Sequence, residues 1–141
     1  MEISINEVTV TGSERIHMEN LKLDATAKTP SIYFATSGKL ELKGRSIPEN
    51  SVEFYMPVKA WIDDYGKNPS AKTTIDIRLE YFNTSSSKCI LDLFKKLEKM
   101  NGKGTEVIVN WYFGEDDEDM EEAGEDYQSI IELPFKLIEV E

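Results

Sequence analysis

The chain has 141 residues and a formal net charge of −11, with 16 lysine and arginine residues against 27 aspartate and glutamate residues. This length is sufficient for one domain with its own hydrophobic core. The acidic balance argues against nucleic acid and against an anionic membrane surface, because both are bound mainly through lysine and arginine. The chain also lacks a signal-peptide pattern and any apolar run near the ~20 residues of a membrane span, so we expect a cytoplasmic protein.

Residues 1–17 carry a short strand-like alternation followed by a polar stretch. We interpret them as an N-terminal extension, which is an extra edge strand, a dimer contact or a simple appendage. The next segments, "NLKLDA" and "SIYFATSGKLELKGR", predict three short strands, the last two joined as a hairpin at Ser37 and Gly38.

A helix is predicted after these strands. Ser46 lies three residues before Glu49, the spacing of a reciprocal capping box, and Pro48 is tolerated in a first turn. Apolar residues then recur every three or four positions, which indicates one buried helix face: Val52, Tyr55, Val58, Ile62 and Tyr65.

Two alternating strands enclose the next helix. "TTIDIRLEYF" places Ile75, Ile77, Leu79 and Tyr81 on one face, and "TEVIVNWYF" repeats the pattern after a helix with the apolar stripe Ile90, Leu91, Phe94, Leu97 and Met100. A strand–helix–strand unit of this kind predicts a right-handed parallel crossover. Clean alternation indicates strands that are buried on one face only.

An acidic segment, predicted to be helical over about 116–128, and a last strand "LPFKLIEV" complete the chain. The predicted fold class is therefore α/β: a single domain with a mixed sheet and helices packed mainly on one face.

The inventory of reactive side chains argues against an enzyme. His17 is the only histidine, so neither a Ser-His nor a Cys-His nucleophile pair has its base. No phosphate-binding loop, dinucleotide fingerprint or zinc-ligand spacing occurs. Cys89 falls on the predicted buried helix face and is interpreted as a small core residue. We therefore expect no catalytic residues, no metal and no cofactor.

The acidic run at residues 115–122 holds seven carboxylates in eight positions. A calcium loop of the EF-hand type needs glycine at its sixth position and glutamate at its twelfth, where a count from Asp117 finds Glu122 and Gln128. The alternatives are a solvated acidic helix face and a docking surface for a basic partner.

Four consecutive hydroxyl residues, 84–87, separate the strand "TTIDIRLEYF" from its helix. Thr84 or Ser85 is placed to cap the helix, and the others would then be turn residues. The alternative is a phosphoacceptor, because a hydroxyl at the tip of a crossover is accessible to a kinase and lies beside helix N–H groups that stabilise a phosphate.

The sequence resembles the SiaC family of bacterial regulatory phosphoproteins over about residues 18–141. The most specific element is "YFNTSSSK", supported by "LELKGRSIPENSVEFYMPVKAWIDDY" and by "VNWYFGEDDEDMEEAGEDY". The resemblance implies a fold akin to STAS domains and anti-sigma-factor antagonists. It divides the chain into the extension at 1–17, which departs from the family pattern, and a regulatory domain at 18–141.

The resemblance also implies a non-enzymatic switch in cyclic di-GMP signalling and biofilm regulation. A partner kinase phosphorylates the turn, a metal-dependent Ser/Thr phosphatase removes the phosphate, and the unphosphorylated form binds and activates a diguanylate cyclase. By position the phosphoacceptor is Thr84, with Ser85 and Ser86 as alternates. The residues expected to dock partners around it are Asn83, Ser85, Ser86, Ser87 and Lys88.

Two other functions use the same sequence features. An antagonist that sequesters an anti-sigma factor would keep the fold and change the output. A constitutive acidic binding module would use residues 115–122 to dock a basic surface, with Thr84 serving only as a helix cap.

Overall fold

The computed structural model describes residues 18–141, which form six strands and three helices. The prediction of a strand within residues 1–17 lies outside the described residues. The elements in chain order are β1 (Leu21–Leu23), β2 (Ser31–Phe34), β3 (Lys39–Ser46), α1 (Ser51–Tyr65), β4 (Lys72–Phe82), α2 (Thr84–Met100), β5 (Glu106–Gly114), α3 (Glu118–Ile130) and β6 (Phe135–Val140).

The six strands form one mixed sheet in the order β1-β2-β3-β4-β5-β6. The pairs β1–β2 and β2–β3 are antiparallel, whereas β3, β4, β5 and β6 are parallel and are connected through α1, α2 and α3. Because each crossover adds the next strand on the same side and such crossovers share one hand, the three helices lie on one face. The predicted mixed α/β sheet is confirmed.

The hydrophobic core lies between the helices and the inward face of the sheet. The predicted alternation is confirmed in β5, where the inward side chains are buried and their neighbours are partly exposed. Cys89, with 3% of its surface exposed, belongs to this core as predicted. The largest fully buried side chains are Trp111, Tyr55, Tyr65, Phe34 and Phe94.

The prediction for the start of α1 is wrong. Ser46 is the last residue of β3 and is fully buried, and Asn50 caps the helix through its side-chain oxygen, which accepts a hydrogen bond from Glu53 N at 3.0 Å. Val52, predicted on the buried face, is 64% exposed because the helix begins at Ser51 and turns that side chain outward.

The prediction that Tyr81 is buried is also wrong, because β4 contains a bulge. Leu79 pairs with Gly44 and Tyr81 with Arg45, so Glu80 is an extra residue without a partner on β3. A bulge shifts the alternation by one residue, which turns Tyr81 outward to 52% exposure. Phe82 turns inward instead and packs edge-on against Trp111, with ring centroids 6.0 Å apart.

The acidic segment forms α3, whose N-cap is Asp117. It begins and ends two residues later than predicted, and its first-turn carboxylates lie at the positive end of the helix dipole. Among residues 18–141, no helix has the length and apolar character needed to cross a membrane.

Candidate functional site

The hydroxyl run lies where β4 ends and α2 begins. The hydroxyl turn, residues 83–88, is fixed to β3 by a hydrogen bond from Asn83 N to Ser46 O at 3.0 Å. The Asn83 side chain caps the helix, since its oxygen accepts from Ser86 N at 2.9 Å. The prediction that Thr84 or Ser85 caps α2 is therefore wrong: both lie inside the first turn.

Ser86 belongs to a buried hydroxyl cluster with Ser46 and Tyr55. Ser46 Oγ donates to Ser86 Oγ at 2.8 Å and shares a second hydrogen bond with Tyr55 OH at 2.6 Å. Ser86 Oγ in turn donates to Ser46 O at 3.0 Å. All three side chains are fully buried, so the Ser86 hydroxyl connects three elements and is inaccessible to a modifying enzyme.

Ser85 and Ser87 are also hydrogen-bonded to residues outside the turn. Ser85 is exposed, but its hydroxyl shares a 2.6 Å hydrogen bond with Ser51 Oγ at the start of α1 and donates to Asn83 Oδ1 at 3.2 Å. Ser87 is partly buried and shares a 3.0 Å hydrogen bond with Tyr127 OH, which also donates to Ser87 O at 2.8 Å. These contacts join the hydroxyl turn to both α1 and α3.

Thr84 differs from the three serines. Its side chain is exposed, and its hydroxyl has no hydrogen-bond partner among residues 18–141. Lys88, also exposed, follows one helical turn later. Within the described part of the chain, Thr84 is thus the one exposed hydroxyl of the run without a hydrogen bond.

The tyrosines that join the turn to the helices are held neutral. Desolvation by burial raises the pKa of Tyr127 to about 12, although its hydrogen bond with Ser87 acts in the opposite direction. Desolvation likewise raises the pKa of Tyr55 well above its ordinary value. Both phenols therefore remain protonated at neutral pH and act as hydrogen-bond donors.

Beside Thr84, α2 and α3 enclose a shallow groove of about 350 Å³. We call it the α2–α3 groove. Its lining is formed by Phe82, Thr84, Ser87, Lys88, Leu91, Ala123, Asp126, Tyr127 and Ile130.

Sequence reasoning identified the hydroxyl turn but missed the residues that hold it. Ser46 and Tyr127 lie 40 positions away from their partners in the turn, and Ser51 lies 34 positions from Ser85. Their contacts with the turn could not be predicted, because no motif in the sequence links a serine or tyrosine to a partner so far along the chain. The inverted alternation after Leu79, which directs Phe82 to the groove, also has no sequence signal.

The acidic run does not converge on one point in the described part of the chain. Asp117 caps α3, its side chain accepting from Met120 N at 3.0 Å, and most other carboxylates of the run are exposed, either on α3 or just before it. Within residues 18–141, no group of three or more side chains is arranged to hold a metal ion.

Comparison with known proteins places this arrangement in a family. The model of the SiaC family regulatory phosphoproteins matches residues 23–140. The chain belongs to the SiaC family. The resemblance predicted from "YFNTSSSK" is thus confirmed.

Several similar proteins come from Pseudomonas aeruginosa. An uncharacterized protein of strain UCBPP-PA14 is 31% identical over 121 residues, covering 85% of this SiaC-family chain and 96% of that protein. The crystal structure of apo-SiaC from that species is 30% identical with a TM-score of 0.78, covering 86% of this chain and 99% of that one.

A further structure contains diguanylate cyclase SiaD in complex with its activator SiaC from Pseudomonas aeruginosa. The matched chain is 29% identical to this one with a TM-score of 0.78, and the match covers 85% of this chain and 99% of that one. A SiaC protein with the same fold thus forms a complex with a cyclase.

Proposed function

We propose that this SiaC-family chain is a non-enzymatic switch whose phosphoacceptor is Thr84. A protein kinase phosphorylates Thr84, a metal-dependent Ser/Thr phosphatase removes the phosphate, and the unphosphorylated form binds and activates a diguanylate cyclase. The proposal is supported by a difference between the four hydroxyls of the turn. Ser85, Ser86 and Ser87 are hydrogen-bonded to other elements, whereas Thr84 is exposed and has no hydrogen-bond partner within the described residues.

A phosphate on Thr84 would change the surface without disturbing the fold. It adds roughly −1.5 to −2 charges at neutral pH. Thr84 is the first residue of α2, where the helix dipole stabilises an anion, and its hydroxyl supports no internal contact in the described structure. The new charge would lie at the edge of the α2–α3 groove and would have to be desolvated by any partner that covers it.

The choice of a cyclase as effector is supported by the complex of SiaC with SiaD. The similarity of the two SiaC chains extends over 85% of this chain, so the surface available for docking is built on the same fold. The proposed effector is therefore a diguanylate cyclase of the organism from which this chain comes. Phosphorylation blocks it by charge repulsion and by the cost of desolvating the phosphate.

The first experiment is phosphopeptide mapping of the protein isolated from its own cells, directed at the peptide covering residues 81–88. We expect phosphate on Thr84 in an amount that changes with growth conditions. A well-observed peptide that never carries phosphate would remove the switch and leave a constitutive binding module.

Purified variants test the consequence of the modification. We expect Thr84→Ala to bind and activate the cyclase constitutively, and Thr84→Asp and Thr84→Glu to bind weakly or not at all. Ser37→Asp is the matched control, because it adds the same charge at the exposed hairpin at the other end of β3. Calorimetric titration and GTP turnover by the cyclase report the result, and equal binding by all four variants would overturn the proposal.

A further inference from the structure

The sheet has one open face. In residues 18–141 all three helices pack on the other face, so the outward side chains of the strands are covered by no helix. The two central strands, β3 and β4, carry five cations among these outward side chains. We call them the β3–β4 strip: Lys39, Lys43 and Arg45 on β3, and Lys72 and Arg78 on β4.

The β3–β4 strip keeps a positive charge. Two carboxylates, Glu41 and Asp76, lie between its cations. Glu41 Oε2 lies 3.4 Å from Arg78 Nε, and Asp76 accepts a hydrogen bond from Asn110 at 2.9 Å. The other four cations are exposed and form no ion pair with another residue of the range 18–141. Even with Glu80, in the bulge of β4, five positive charges stand against three negative ones.

The negative charge of the chain is concentrated on the opposite side of the molecule. Residues 115–130 hold nine carboxylates and no lysine or arginine, in a chain whose formal net charge is −11. Glu118, Glu122 and Glu125 are exposed and lie four and three residues apart on α3, so they share one face of that helix. We call these three residues the acidic row. Because α3 packs on the helix-covered face of the sheet, the acidic row and the β3–β4 strip point in opposite directions.

We propose that the β3–β4 strip binds α3 of a second copy of this chain, with the acidic row of one copy lying along the strip of the other. The partner of stated charge is thus the chain itself, whose carboxylates and cations are separated on two faces. This inference goes beyond the proposed function, because it uses neither Thr84 nor the cyclase.

The two surfaces match in length and in the layer that each supplies. From Lys39 to Arg45, β3 extends over about 20 Å at about 3.3 Å per residue. The 13 residues of α3 also extend over about 20 Å, at about 1.5 Å per residue. Many α/β sheets carry helices on both faces, whereas the described sheet carries them on one. A helix from a second copy supplies the missing layer, held mainly by charge.

The charges also decide how the copies are arranged. Two β3–β4 strips brought face to face would repel each other, and so would two acidic rows, which disfavours a symmetric pairing of like surfaces. Pairing a strip with an acidic row leaves one of each free on every pair of copies. Further copies can then add, so the contact produces linear assemblies that do not close.

Sedimentation velocity of the full chain tests the self-association. At about 0.1 M salt the screening length of about 10 Å damps the repulsion between two net negative copies but preserves charge contacts at the interface. We expect the sedimentation coefficient to rise with protein concentration there, and the affinity to fall at least about tenfold at about 1 M salt, where the screening length is about 3 Å. A chain that stays monomeric at millimolar concentration, or an association that salt does not weaken, would overturn the inference.

Charge reversal in the strip is tested with Lys43→Glu/Arg45→Glu, for which Lys95→Glu/Lys99→Glu on α2 is the matched control. All four side chains are exposed and lack an ion pair within residues 18–141. Each double variant replaces two positive charges by two negative ones, which changes the formal net charge of −11 equally in both. We expect the strip variant to associate at least about tenfold more weakly than the control. Equal association of the two variants would remove the strip from the interface.

A mixture of two variants tests the pairing of strip with acidic row. Glu122→Lys/Glu125→Lys reverses the acidic row and keeps the strip, whereas Lys43→Glu/Arg45→Glu reverses the strip and keeps the row. We expect neither variant to associate alone and the equimolar mixture to form pairs, through the native strip of the first and the native row of the second. Circular dichroism of each variant checks that it is folded. A mixture of folded variants that stays monomeric would contradict the proposed pairing.

A labelled single-stranded oligonucleotide tests another anionic occupant of the strip. We expect it not to bind at about 0.1 M salt, because the carboxylates of residues 115–130 repel a polyanion. Oligonucleotide binding that Lys43→Glu/Arg45→Glu abolishes, by a native chain that stays monomeric, would assign the strip to nucleic acid and overturn the inference.

Discussion

Ser86→Ala and Thr84→Ala each remove one hydroxyl from the first turn of α2. We expect the first to lower the free energy of unfolding and the second to prevent phosphorylation. Ser86→Ala deletes the hydrogen bonds with Ser46 Oγ, at 2.8 Å, and with Ser46 O, at 3.0 Å, and a long, weak one with Ser51 Oγ at 3.5 Å. Ser46 keeps its contact with Tyr55 OH at 2.6 Å, and its carbonyl keeps the bond from Asn83 N, so no group loses every partner. At about 1 kcal/mol per hydrogen bond, we expect the free energy of unfolding to fall by about 2 kcal/mol.

Thr84→Ala removes an exposed hydroxyl that has no partner within residues 18–141. Surface changes of this kind usually alter the free energy of unfolding by less than about 0.5 kcal/mol. For a chain of this size, the difference between the two variants corresponds to roughly 5 to 8 °C in Tm. The effects on phosphorylation are the opposite of those on stability. Thr84→Ala should lose the regulated phosphate, whereas folded Ser86→Ala should still accept it at Thr84.

Urea unfolding of the full-length variants, followed by circular dichroism, measures the first difference, and mass spectrometry after kinase treatment measures the second. Ser37→Ala, at an exposed hairpin position, controls for the loss of a surface hydroxyl. A Ser86→Ala variant as stable as the native chain would refute the structural role of the buried hydroxyl cluster. Phosphate that remains on the turn of Thr84→Ala would refute the choice of acceptor.

Three further outcomes follow from individual contacts. Asn83→Ala should lower the free energy of unfolding by about 1 kcal/mol through loss of the α2 cap, and Asn83→Asp, which keeps an acceptor, should restore most of it in the same urea assay. Gly124→Ala should destabilise by about 1–3 kcal/mol despite the better helix propensity of alanine, because its Cβ would lie 2.5 Å from Trp111 Cδ1. Tyr127 has a pKa of about 12 in the folded chain against 10.0 ordinarily, so the unfolded chain loses this proton first and stability should fall as pH rises between these values. Tyr127→Phe should show a shallower decline of the urea midpoint over that pH range, and an identical decline would contradict the assignment.

Much of the fold could be predicted because local pattern and tertiary environment agree. The alternation in β5 and the apolar stripe of α2 follow directly from burial on one face, and the parallel crossover follows from the order of elements. The predictions failed where a residue had a competing use. Ser46 has the spacing of a helix cap but is a buried hydrogen-bond partner of Ser86. Tyr81 continues the alternation of Ile75, Ile77 and Leu79 in the sequence, but it follows a bulge that reverses the direction of its side chain.

The candidate site was likewise predictable only in part. The sequence indicated the hydroxyl turn and its resemblance to the SiaC family, yet it left Thr84, Ser85 and Ser86 as alternatives. In the folded chain their environments differ, since Ser86 is buried and Ser85 Oγ is hydrogen-bonded to Ser51 Oγ at the start of α1. Those contacts join residues 34 to 40 positions apart, a separation that no local pattern encodes.

The sequence by itself determined the fold class, the one-sided burial of the sheet and the family of this protein, because hydrophobic period and a distinctive turn are local properties. Tertiary structure alone decided which exposed hydroxyl lacks a hydrogen-bond partner among residues 18–141, that Asn83 rather than Thr84 or Ser85 caps α2, and that Phe82 rather than Tyr81 points inward. It also brought Lys88 and Asp126 to opposite rims of one groove. These features depend on hydrogen bonds and packing between distant segments, which exist only when β3, α1 and α3 have assembled around the hydroxyl turn.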